Sequence, residues 1–226
     1  MGKKRLATEI SGEGNHDHGT NGGVEVKCCE APETMVLDPD GDVTIKINCP
    51  RCAEVRCFQA SSHMLSLAST VFAKMLGPDF KEGHQLRKDG RVTVTLHDDD
   101  PDATERVLCA LHYHPNATTA AVDVERLVPM ALFCDKYDCC RALAPWVLHW
   151  CKVFTEISVA EAGYMLLAAY LFRASNFYDI SSKIAGHLPP TFAALWKRLE
   201  KMSPLPQKLI GSNPFPYGSP LLTSDR

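Results

Sequence analysis

Residues 43–76 read VTIKINCPRCAEVRCFQASSHMLSLASTVFAKML, and the class of the fold turns on them. Val43, Ile45 and Ile47 alternate with Thr44, Lys46 and Asn48, the period-two pattern of a strand with one buried face. Residues 48–53 hold turn formers, Pro50 among them. The chain returns over 54–60 with Val55, Cys57 and Phe58 as packing residues, so the two strands make a hairpin. Then the period changes. Met64, Leu65, Ala68, Val71, Phe72, Met75 and Leu76 recur at three- and four-residue steps, which predicts one helix over 62–76, capped by Ser61 or Ser62. Gly77-Pro78 stops it and leaves Phe80-Lys81-Glu82 in the loop beyond.

Further along, Val92, Val94 and Leu96 predict a third strand over 91–96. Asp100-Pro101, with Asp102 and Glu105 following, is a helix start: an N-cap, a proline in the first turn and negative charge at the positive end of the dipole. Val107, Leu108 and Leu111 form its buried stripe. A helix from Asp123 carries Val124, Leu127, Val128, Ala131 and Leu132. Another stretch, 139–153, turns Leu143, Val147, Leu148 and Cys151 inward, with Pro145 kinking it or opening a new first turn. Ser158 and Glu161 form a capping box for a helix reaching about residue 174. Phe177, Ile180 and Ile184 suggest a further helix, and Phe192, Leu195, Trp196 and Leu199 a last one after Pro190. The expected class is α/β in the α+β sense: a short strand hairpin and a third strand packed on helices, then a helical C-terminal extension.

Composition narrows the function classes. The chain has 226 residues, 45% hydrophobic and 23% charged, with a formal net charge of −3. That is a globular composition without the basic field that draws a protein to nucleic acid or an anionic membrane. No apolar run reaches the roughly 18 residues of a membrane helix. Residues 1–35 hold almost no large apolar side chains and read as a disordered tail; 202–226, with five prolines from Pro204 on, read as a second, irregular one. The N-terminus lacks a secretory signal, so an intracellular location is expected, cytoplasmic or nuclear, with Lys3-Lys4-Arg5 the only nuclear hint.

Ten cysteines in a reducing compartment stay reduced or bind metal. Cys109, Cys134 and Cys151 fall on apolar helix faces and read as small hydrophobes. Cys49-Pro50-Arg51-Cys52 has the C-x2-C spacing that lets two thiolates reach one zinc. No second pair follows at knuckle distance, so they read as hairpin-turn cysteines, with a zinc site through Cys49 and Cys52 as the alternative. The acidic run 97–102 is explained by helix capping rather than by a bound cation. Phosphate loops and glycine-flanked nucleophile turns are missing from the sequence, and neither catalytic residues nor cofactors are expected.

These motifs, in this order, resemble the BTB (POZ) domain family, and most closely its filamentous-fungal branch. The resemblance is carried by Gly41-Asp42-Val43, FQASSHMLSLASTVF over 58–72, Met75-Leu76, Phe80-Lys81-Glu82-Gly83, Val94-Thr95-Leu96, Asp98-Asp99-Asp100-Pro101 and Ala103. It continues through residues 108–112, 132–137, 142–150 and 166–172. One departure is that many animal members have His where Ser61 stands, and here His63 lies two residues later. The resemblance implies a BTB/POZ domain over 36–154 with a helical extension over 155–201, and a module that binds other proteins instead of catalysing. Family members self-associate, bind transcriptional co-regulators or dock on a cullin scaffold to present ubiquitin-ligase substrates. In cullin-binding members a bulky apolar residue, any residue and then Glu follow the helix that ends in SxxF. Phe80 and Glu82 match that pattern, with the opposite reading that Phe80 tucks back onto the helix end. A monomer or weak homodimer is expected, since 24–37 offer at most a short strand for exchange between copies.

Overall fold

The alternation over 43–48 and 92–96 becomes the centre of a single sheet. A computed structural model describes residues 34–48, 55–119, 122–151 and 157–206. Strands β1 (Thr34–Val36), β2 (Val43–Asn48), β3 (Val55–Ala60) and β4 (Val92–Leu96) lie in the order β1-β3-β2-β4. The predicted hairpin pairs β2 antiparallel to β3, with Ile45 opposite Phe58 and Val43 opposite Ala60. β4 runs parallel to β2, and β1 parallel to β3. Val43, Ile45, Ile47, Phe58, Ala60, Val92, Val94 and Leu96 are buried on one face, while Thr93 and Thr95 are exposed on the other.

The sheet differs from expectation in two ways. β1 is a fourth strand, beginning at Thr34; three residues are too few to show a period, so only its pairing with β3 defines it. Cys57 does not hold a core position. It stands opposite Lys46 on the outer face, half-buried, and its place in the core belongs to Phe58 and Ala60.

The helix expected over 62–76 is two helices, α1 (Ser62–Ala68) and α2 (Thr70–Met75). Between them Ser69 is extended at φ −137° and ψ 122°, accepting the Phe72 N–H at 2.9 Å and donating its hydroxyl to the Tyr137 carbonyl. A buried serine acting as N-cap ends one helix and starts the next. The apolar period runs across the break because Leu65 and Phe72 face the same core. Next comes α3 (Lys81–Asp89), a helix where a loop was expected.

The Asp-Pro start opens α4 (Pro101–Leu111) as expected, Asp100 accepting the Ala103 N–H at 2.8 Å. Its neighbour Asp99 is buried and accepts from the Tyr137 hydroxyl at 2.7 Å and the Lys136 ammonium at 2.8 Å. Asp102 pairs with Arg56 at 2.8 Å. The acidic run thus serves capping and pairing. The short α5 (Asn116–Thr119) and then α6 (Val124–Lys136) and α7 (Ala144–Trp150) follow, with Pro145 in the first turn of α7. Leu132 and Leu148, read as part of the apolar faces of α6 and α7, are 42% and 46% exposed; the buried stripes, Leu127, Val128 and Ala131 on α6 and Val147 and Trp150 on α7, leave them on the outer side.

The capping box opens α8 (Val159–Leu171): the Ser158 side chain accepts the Glu161 N–H at 3.2 Å, and Glu161 accepts the Ser158 N–H at 2.7 Å. α8 is buried on every side, the mark of a helix at the centre of a core. α9 (Phe177–Ala185), α10 (Phe192–Trp196) and a 3-10 turn at Glu200–Met202 wrap it. Leu195, expected to pack, is 40% exposed, whereas Trp196, expected beside it, fills the core and donates its indole N–H to the Val159 carbonyl at 2.7 Å. The fold is mixed α+β. Among the described residues no helix is long and apolar enough to cross a membrane.

Candidate partner-binding site

Phe80 and Glu82 are placed by a tight turn between α2 and α3. α2 ends at Leu76, and the Gly77 N–H bonds to the Lys74 carbonyl at 3.0 Å. Arg87 reaches back from α3 to the Pro78 carbonyl at 3.3 Å and braces the turn. Phe80 is the N-cap of α3, extended at φ −114° and ψ 153°, with its carbonyl accepting the His84 N–H at 3.0 Å. It has no side chain able to cap, and the residue remains 48% exposed. Glu82 lies in the first turn, where a carboxylate favours the positive end of the helix dipole. The two residues are therefore a helix start, not the loop the sequence suggested. A run such as KEGHQLRKD has too few apolar residues to announce a helix.

Gly83 fixes how closely α3 approaches α2. A Cβ there would sit 1.8 Å from the Gly77 carbonyl oxygen and 2.5 Å from that of Leu76. Glycine alone permits this backbone contact.

The remaining candidates separate. Cys49 and Cys52 lie outside the described residues. Among those described, no group of three or more His, Cys, Asp and Glu side chains is placed to hold a metal. Cys57 faces a shallow hollow of about 580 Å³ on the outer side of the sheet, beside Thr44, Lys46, Thr93 and Thr95. The helix cysteines behave as the sequence predicts: Cys109, Cys134 and Cys151 are buried. Burial pushes the Cys109 thiol up to about 11 and the Cys151 thiol to about 12, so both are unreactive packing groups.

Sequence reasoning missed the contacts that hold α1. Asp42 accepts the Ser62 N–H and hydroxyl, and His112 Nε2 accepts the Ser61 N–H. His63, singled out beside Ser61, is exposed and takes no part in them. Such contacts join residues 20 and 51 positions apart, and no local pattern reports them. Compared with known protein families and with curated proteins, the chain matches no family model and no curated sequence.

Proposed function

We propose that this chain is an intracellular protein–protein recognition module of the BTB (POZ) type, and that Phe80 and Glu82 dock it on a cullin scaffold as a ubiquitin-ligase substrate adaptor. The observation that carries this reading is the half-exposed Phe80 ring, held at the start of a helix whose seat admits only glycine. An aromatic side chain on a backbone held at a helix start has only two side-chain torsions to order on entering a partner pocket and so makes an efficient anchor. The Glu82 carboxylate beside it supplies orientation rather than bulk affinity. The partner covers a total of roughly 1,200–2,000 Å² in a stable complex. No bond is made or broken in this role, and no cofactor is needed.

A second reading is a self-associating scaffold or transcriptional co-regulator. It is favoured by Leu67 on α1, a large apolar side chain left 77% exposed.

Phe80→Ala separates the two. In the adaptor reading the full-length variant is no longer retained by an immobilised cullin amino-terminal domain, while its melting temperature moves by less than about 3 °C, as for other surface substitutions. Undiminished retention excludes the adaptor role. A collapse in melting temperature assigns Phe80 to stability instead.

A further inference from the structure

The first turn of α1 is held by side chains from two distant parts of the chain. Asp42, just ahead of β2, accepts the Ser62 N–H and the Ser62 hydroxyl, both at 2.7 Å. His112, at the end of α4, accepts the Ser61 N–H through Nε2 at 3.1 Å, and its Nδ1 lies 2.9 Å from the Leu108 carbonyl oxygen. A backbone N–H only donates and a carbonyl oxygen only accepts. The two neighbours therefore admit one tautomer, with the proton on Nδ1 and Nε2 bare. α1 itself buries little: Leu65 is its one buried residue, Ala68 packs partly buried against the core, and the helix ends after seven residues at extended Ser69.

We propose that His112 is a proton-operated clasp on α1: neutral, it holds the helix N-cap to the end of α4, and protonated, it lets go. A proton added to Nε2 turns the acceptor into a donor aimed at the Ser61 N–H. The Ser61 amide loses its partner, and two N–H groups face one another, an arrangement that destabilises a partly buried site.

The charged groups around the ring pull in different directions. Asp38, from the turn between β1 and β2, favours the imidazolium, and so does the Leu108 carbonyl. His114, two residues on, opposes it. Asp42 already serves both groups of Ser62, and His63 on α1 points to solvent. Burial is the largest influence and holds the His112 imidazole below its ordinary value. The unfolded chain thus binds this proton more readily than the folded one. The clasp's contribution is complete above the ordinary histidine range and is lost as the pH falls through that range toward the lower folded value. Acid opens the α1 segment locally and frees the helix that carries exposed Leu67.

Amide hydrogen exchange on the full-length chain at pH 7.5 and pH 5.0, corrected for intrinsic rates, reads the clasp. The amides of residues 61–66 lose about tenfold or more of their protection in acid, while those of β4 keep theirs. His112→Gln retains an acceptor but cannot titrate, and its α1 protection is the same at both pH values. Equal protection of the natural chain at both pH values, or the same acid loss in His112→Gln, overturns the proposal. Should the variant fail to fold, the imidazole titration of the natural chain by NMR decides. A His112 midpoint below the ordinary histidine range, reported in step by the amide signals of Ser61 and Ser62, supports the clasp; a midpoint within or above that range, or amides that do not follow it, overturns it.

Discussion

α8 and α3 are held in place by opposite means. α8 buries nine of its thirteen residues, and its position follows from apolar area and from the indole of Trp196 lying across it. α3 buries one residue of nine, and that residue is Gly83, which has no side chain. One helix is fixed by what its side chains fill; the other sets one partly buried side chain, Leu86, against the core and is otherwise placed by the absence of a side chain where two backbones meet. A helix of the first kind tolerates small shifts because side chains repack, whereas the second has no soft atom to yield.

Gly83→Ala attacks the contrast at its hardest point. The new Cβ would fall 1.8 Å from the Gly77 carbonyl oxygen, so α3 must lift off the end of α2 or the turn over 76–80 must rebuild. We expect a loss of about 3 kcal/mol, the upper part of the range for overpacking, read as a lower urea midpoint. On the proposed docking through Phe80, cullin retention falls as well, although Phe80 itself is untouched. A cost under about 1 kcal/mol would mean that α3 is not seated by this approach.

Gly163→Ala is the matching change in α8. Its Cβ would meet Trp196 Nε1 at 2.8 Å, Trp196 Cε2 at 2.9 Å and the Met202 Cε at 3.1 Å, all side-chain atoms. Alanine also favours the helix over glycine by about 1 kcal/mol. Against an overpacking cost of about 2 kcal/mol, the net loss is about 1 kcal/mol, with a shift in the tryptophan fluorescence of the folded state as Trp196 moves. If Gly163→Ala proves costlier than Gly83→Ala, the distinction between a seat of backbone and one of side chains fails.

The same contrast explains which parts of the fold can be read in advance. α8 declares itself through Ser158 and Glu161 and a run of apolar residues, and the sheet through alternation at Val43, Ile45 and Ile47. Local periodicity carries burial, so elements fixed by buried area are legible. α3 has one close backbone approach and one core-packed side chain, Leu86, and is otherwise polar, so its sequence looks like a loop. Ser69 shows the converse failure: the apolar period continues across it, and only its bond to the distant Tyr137 carbonyl accounts for the break. Phe80 and Glu82 are proposed from resemblance to a family pattern. His112 and Asp42 were not found, because their bonds to Ser61 and Ser62 exist only once the sheet and α4 have brought them together.

The two helices also stop differently, and the smallest expected effect lies there. α3 ends at Gly90, whose φ of 70° suits glycine. α8 ends with the Arg173 N–H bonded to the Tyr170 carbonyl and the Ala174 N–H bonded to that of Ala169, both at 3.0 Å, and Arg173 takes the left-handed φ of 54° without being glycine. Its guanidinium reaches Asp138 at 3.2 Å and Asp135 at 3.4 Å. The Thr70 hydroxyl, and after it Arg173, hold the Asp138 carboxyl below its ordinary range. A left-handed non-glycine residue costs about 1 kcal/mol, and exposed ion pairs return about 0.2–1 kcal/mol each. Arg173→Gly removes both contributions, so at low salt its stability should stay within about 0.5 kcal/mol of the natural chain. At about 1 M salt the ion pairs are screened and the conformational relief remains, so the variant should become the more stable of the two by about 1 kcal/mol. Paired urea titrations at the two salt concentrations test this. A variant destabilised equally at both would show that the Arg173 stem is held by packing, and that α8 is fixed by filled space at its end as well as along its length.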